Sequence, residues 1–265
     1  MDSIKEQIKN IRLKPILIPP EHGIWGFTIE ALLVGYLLSE GSAKPFIGIM
    51  MILLPFAKQT LKIYLQDIFA KRTFLRKYIA LFFLFIFGIV FLILFYFANQ
   101  FALYPFWHFI ILSFVLGFIA IILEIKGFYQ HIITEIIGSF VPICFALSMN
   151  TTLEVQPDTI FYITMILGFR NISSIVLTRK LVDFIKYKKM QNFFLSCFVF
   201  LLIIFILYLY YSININIFYL LLIYLLLFVM FYYFIQFNII KKAQQLGWIQ
   251  IIVGICYIIL SIILK

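Results

Sequence analysis

The chain has 265 residues, 65% of them hydrophobic and 12% charged, with a net charge of +10 and a mean hydropathy of +1.10. So little polar surface cannot coat a soluble globule of this size, which excludes a water-soluble enzyme; disordered chains are apolar-poor, and 12 glycines are too few for a collagen repeat. Apolar runs of about 20 residues, rather than alternating runs of about 10, leave an all-α polytopic transmembrane helical bundle.

Residues 1–22 read as a cytoplasmic arm. Ile4, Ile8 and Ile11 share one helical face while Lys5, Lys9 and Arg12 occupy others, the pattern of an interfacial helix on anionic lipid. Pro19 and Pro20 stop that helix, and Glu21, His22 and Gly23 form the entry to the first span. Residues 23–265 then read as a single transmembrane domain of nine spans, at 23–39, 45–63, 78–98, 102–123, 132–149, 159–177, 193–211, 217–237 and 248–264. The first is expected to be retained, since 22 residues precede it, it contains Glu30 and it lacks a small-residue cleavage site. A segment at 178–191, with Leu181, Phe184 and Ile185 flanked by Lys and Arg, is expected to lie on the membrane as an electrostatic anchor.

The basic residues set the orientation. With the N-terminus in the cytoplasm, every Lys and Arg except Lys44 and Lys265 falls on the cytoplasmic side, while Glu40, Glu154 and Asp158 face outward. The expected localisation is therefore the cell inner (cytoplasmic) membrane, multi-pass, with the C-terminus external. The net charge is mostly topological, and no nucleic-acid partner is needed to explain it. Cys144, Cys197 and Cys256 lie in separate apolar runs with no metal-ligand spacing and read as small core residues.

A charge inside hydrocarbon costs about 2.5–3.5 kcal/mol on insertion scales, so polar residues within spans carry information. Glu30, Lys58, Lys62, His131, Glu135 and Arg170 all fall in the cytoplasmic half, whereas His108 lies near the outer end of span four and reads as a structural hydrogen-bonding residue. Two readings stand side by side. In one the charges neutralise one another, as Glu30 with Lys58 or Glu135 with Arg170, and lock helices together. In the other they line a basic cavity open to the cytoplasm, bordered by loop segments around IPPEHGIWG, KQTLKIYLQDIFAKRTFLRK and FRNISSIVLTRK. Lys and Arg gathered beside a bilayer suit a phosphate or diphosphate on an apolar tail.

PPEHGIWGFTIEALLVGYLL, the span-two end with Lys58, Lys62 and Asp67, the span-six end with Arg170 and Arg179, and QLGWIQIIVGICYIIL together resemble the YwiC-like family of bacterial membrane proteins. The similarity covers most of the chain, and it implies no particular activity. More remotely, nine spans with polar stretches after spans two and six resemble the UbiA superfamily of intramembrane prenyltransferases. That resemblance implies a ring of helices around a cavity binding a prenyl diphosphate through magnesium. The aspartate-rich motifs are not intact here: the positions after span two read Gln59, Ile63 and Asp67, and those after span six read Arg170, Ser174 and Thr178. Paired magnesium ions cannot be built from these side chains, so no cofactor is expected, and Mg2+ enters only with a full UbiA-like chemistry.

The expected ligand-binding set is Glu21, His22, Glu30, Lys58, Lys62, Asp67, His131, Glu135, Arg170 and Arg179, with membrane lipids and an isoprenoid or lipid (di)phosphate as partners. Whether the chain is a divergent transferase or a binding protein stays open on sequence. So do two other classes: a small proton-linked transporter using Glu30, His131 and Glu135, and a non-enzymatic membrane assembly protein.

Overall fold

The computed structural model describes residues 13–19, 22–70, 74–103, 105–128, 131–151, 157–187, 199, 215–237 and 243–263. Among them there are helices and no strand. The helices are α1 (Lys14–Leu17), α2 (His22–Leu38), α3 (Lys44–Phe69), α4 (Phe74–Phe101), α5 (Trp107–Leu123), a π turn (Glu124–Phe128), α6 (Ile132–Ser148), α7 (Pro157–Tyr187), α8 (Ile215–Gln236) and α9 (Ala243–Ile263). Four are long and apolar enough to cross a bilayer, over Lys44–Phe69, Leu75–Phe101, Trp107–Phe128 and Thr159–Ile185. The chain is a helical membrane protein. Shorter apolar helices occupy Gly23–Leu38, Ile132–Ser148, Leu225–Phe234 and Gln250–Leu260. The expected seventh span at 193–211 and residues 1–12 of the arm lie outside the described residues, Val199 apart.

The chain divides into two units, Met1–Gln156 and Pro157–Lys265. In the first, α3 and α4 are antiparallel in a constant register. Phe46 stacks on Phe97, Phe56 meets Phe87, Ile63 and Ala80 share a buried cluster, and Asp67 pairs with Arg76. Each pair sums to the same number, so the axes stay aligned over the roughly 32 Å that 21 residues of α3 span. Small residues set the other contacts, as expected where lipid supplies no hydrophobic drive between helices. A Cβ on Gly35 of α2 would lie 2.8 Å from Met149 Sδ and 2.9 Å from Ala146 Cα of α6. On α5, Ser113 donates to the Val141 carbonyl at 3.3 Å, and Gly117 faces the same valine. Residues 141–151 are all buried, making the second half of α6 the centre of the unit.

One end of this unit is tied by backbone. Thr151 N–H donates to Glu40 O at 3.1 Å, and Leu103 N–H to Thr151 O at 3.0 Å. Gly41 adopts φ 138° there, where a Cβ would collide with the Thr151 hydroxyl. The Lys44 ammonium donates to the Ser39 and Tyr36 carbonyls at 2.8 and 3.2 Å and sits over the Tyr36 ring. It satisfies acceptors that the last turn of α2 leaves open, which accounts locally for a basic residue that orientation alone did not explain.

Several expectations require correction. The segment at 178–191 is not a separate surface helix: α7 runs unbroken to Tyr187, and Leu181 is fully buried. The helices at 45–63 and 159–177 also run further than expected, to Phe69 and Tyr187, because Lys, Gln and Arg sustain a helix as well as apolar residues do. Described residues 13–19 dock against the bundle, with Ile16 buried between Ile63 and Ala80. Cys144 is buried in the core but Cys256 is exposed, and Cys197 lies outside the described residues. His108 is exposed and stacks on Trp107, rather than serving as an interior hydrogen-bonding group.

Candidate functional site

α3 continues well beyond its apolar run and carries Lys58 and Lys62 one turn apart, so their ammonium groups project from one face. Opposite them α5 ends in the π turn Glu124–Phe128, where Gly127 takes φ 93°. Only glycine adopts that backbone cheaply. The turn presents Glu124 to both lysines: Lys58 Nζ lies 2.6 Å from Oε1 and Lys62 Nζ 2.7 Å from Oε2. Two ammonium groups share one carboxylate. These three side chains together carry one positive charge in excess, and with side-chain exposures of 22% for Lys58, 14% for Lys62 and 10% for Glu124 they are partly exposed.

The α3–α4 register gives the depth of this cluster. Lys62 lies level with Leu81 and Lys58 with Phe85, about 5 Å and about 10 Å along the axis from the level of Tyr78. Below them Asp67, buried, meets Arg76 at 3.4 Å. Beside them the Gln59 amide donates to Pro15 O at 2.9 Å, holding α1 against α3. Lys58, Lys62 and Asp67 are thus brought to one end of the unit, together with Arg76 and Glu124.

The other expected residues do not join them. Glu30 is buried in α2, but the contacts of Trp25 with Phe56 and of Leu32 with Gly48 set it level with about residue 51 of α3. That is roughly 10 Å deeper than Lys58, so the expected Glu30–Lys58 pair is replaced by Lys58–Glu124. His131 caps α6 and is exposed, as is Glu135 one turn on. α2 and α6 run parallel, and the Gly35–Ala146 contact separates Glu135 from Glu30 by roughly 9 Å along the axis. Glu21 lies outside the described residues, and His22 opens α2.

In the second unit Arg170, buried, donates through Nη2 to Gln250 O of α9 at 3.4 Å. The Gln250 amide in turn donates to Ser174 Oγ at 3.1 Å and to Thr178 Oγ1. The four-residue spacing Arg170, Ser174, Thr178 is therefore a polar stripe that meets one residue, Gln250, through its backbone carbonyl and its side-chain amide, and Arg179 follows it half-buried on α7. Glu124 and Gln250 are the residues that sequence reasoning passed over. The signals were a lone acid beside Lys126 at the end of an apolar run and a lone amide inside QLGWIQIIVG.

A magnesium pair does not fit the described side chains. The Asp67 carboxylate faces Arg76, and among the described residues no three of His, Cys, Asp and Glu come together. No protein-family model, curated protein or solved structure matches this chain.

Proposed function

We propose that this protein is a nine-span, UbiA-like membrane protein with a cytoplasmic N-terminus, in which Lys58 and Lys62 receive the phosphate or diphosphate of an isoprenoid or lipid. The observation that carries the reading is the shared carboxylate: two ammonium groups on one Glu124 leave a net positive, partly exposed cluster. Its depth supports the same reading. Along α4 the exposed stripe Tyr78, Phe82, Phe85, Ile89, Leu92 and Tyr96 runs from tyrosine to tyrosine over roughly 27 Å, close to a hydrocarbon thickness. Lys77 lies over the Tyr78 ring at one end, and Trp107 is exposed at the start of α5, where Phe106 meets Phe95 near the other. Aromatic residues with a snorkelling lysine mark membrane interfaces. A cluster about 5–10 Å inside the Tyr78 level would draw a phosphate just below the headgroups, with its apolar tail among the acyl chains.

Lysine–phosphate contacts are charge-assisted and strengthen away from bulk water. The UbiA resemblance favours an isoprenoid or lipid tail, and transfer chemistry is not assigned to any residue. The pairing by Glu124 favours a second reading, an assembly protein without a ligand in which the cluster only locks α3 to α5. Mass spectrometry of lipids extracted from gently purified protein separates the two. A phosphorylated isoprenoid or lipid should co-purify with the native chain and be lost from Lys58→Gln/Lys62→Gln. Native protein carrying none would leave the assembly reading standing.

A further inference from the structure

Resting on the phosphate-site reading above, we propose that Glu124 is a displaceable internal anion: it occupies Lys58 and Lys62 in the empty protein and leaves them, as the helix end before Gly127 opens, when a phosphate monoester on an apolar tail arrives. The geometry carries this. Each carboxylate oxygen takes one ammonium, at 2.6 and 2.7 Å, so the chain supplies to both lysines the kind of paired anionic oxygens that a phosphate would supply. A phosphate entering beside Glu124 would meet a like charge within a few ångströms, and like-charge juxtaposition at a site costs several kcal/mol. Binding and departure of the carboxylate are therefore linked.

The backbone has the means for that departure. Glu124 closes α5 in helical geometry, φ −60° and ψ −42° with its N–H on Ala120 O, but only three positions on Gly127 breaks that geometry with φ 93°, so the carboxylate sits at a helix end where opening is least costly. Among the described residues nothing lies within 4 Å of where a Gly127 Cβ would stand, so the helix end is unpacked on that side. The lysines, by contrast, sit on the uninterrupted helix α3, clamped to α4 through Ile63, Ala80 and the Asp67–Arg76 pair. One partner lies mid-helix and the other at a helix end. Once Glu124 leaves, the two lysines present two ammonium charges, matching a phosphate monoester dianion.

Equilibrium binding of dodecyl phosphate and of inorganic phosphate to the full-length protein in an uncharged detergent tests this. Native protein should bind dodecyl phosphate, Lys58→Gln/Lys62→Gln should lose it, and Glu124→Gln should bind about tenfold tighter or more, because the competing charge is gone. Inorganic phosphate bound as well as dodecyl phosphate would assign the ligand to a free anion, with the displacement upheld if Glu124→Gln tightens that too. If Glu124→Gln does not fold, Glu124→Asp, one methylene short of reaching both lysines, should also tighten binding. In native protein, amide hydrogen exchange over Ile125–Phe128 should speed up when dodecyl phosphate is added. Loss of binding in the lysine pair with weaker or unchanged binding in both Glu124 variants, or unaltered exchange in the turn, would overturn the displacement while leaving the phosphate site. Binding by none of the proteins would overturn both.

Discussion

Asp67 of α3 and Arg76 of α4 face each other at 3.4 Å across the connection between their helices, and the same register aligns Phe46 with Phe97 some 30 Å away. The pair is lopsided: the Asp67 carboxylate is 3% exposed, whereas the Arg76 side chain is 39% exposed. Removing the arginine leaves a buried carboxylate without its counter-charge; removing the charge from aspartate leaves an arginine that solvent reaches. Arg76→Gln should therefore destabilise by about 1–3 kcal/mol, the cost of a stranded buried polar group, and Asp67→Asn by less. Thermal unfolding in detergent compares the two. Equal losses would mean that the pair acts only as a surface ion pair.

The proposed orientation makes a separate prediction. Reporter fusions at Asn99, Glu154 and Asn214 should report an external location, and fusions at Lys71, Lys188 and Lys242 an internal one. Lys44→Gln should leave that pattern unchanged while lowering stability by about 1 kcal/mol, because this lysine is occupied with the Ser39 and Tyr36 carbonyls. An external signal at Lys188 would end the nine-span arrangement.

Apolar periodicity located the helices well, since a run such as 78–98 has no other way to satisfy its backbone in lipid. It misjudged where they stop. Hydropathy falls at Lys58, Gln59 and Lys62, yet α3 runs on to Phe69, because these residues are good helix formers and find partners on neighbouring helices. The site was half legible for the same reason. Two lysines at i,i+4 show in the sequence, but the acid that binds them is 66 residues from Lys58, and which acid reaches them depends on helix levels that spacing within one segment does not contain. Glu30 is the partner that the sequence suggests for Lys58, but the Trp25–Phe56 contact puts it two turns too deep.

Glycine substitutions separate close packing from mere helical flexibility. Gly35→Ala should cost about 1–3 kcal/mol, since its Cβ would press on the backbone of Ala146 as well as on Met149, and backbone does not yield as a side-chain tip does. Gly88→Ala lies on the exposed face of α4 with nothing within 4 Å, and should be neutral or stabilising by up to about 1 kcal/mol through helix propensity. Unfolding midpoints for the two variants in one detergent check this. Equal midpoints would show that α2 and α6 can separate without loss.

Metal dependence divides the phosphate reading from full UbiA-like chemistry. A magnesium pair wants several carboxylates on one ligand, and near Lys58 and Lys62 the acids already have cationic partners: Glu124 holds both lysines and Asp67 faces Arg76. Recruiting them for a metal would break contacts of 2.6 and 2.7 Å and strand two ammonium groups in a partly buried setting. Lysines alone can neutralise a phosphate monoester, so its binding should survive a chelator. It should also weaken only modestly between low and physiological salt, because the cluster is largely shielded from the ionic atmosphere. Titration of dodecyl phosphate into purified protein, with and without chelator and at two salt concentrations, measures both effects. A strict magnesium requirement would mean that the acids rearrange on binding, with Glu124, at the helix end three residues before Gly127, the first to follow.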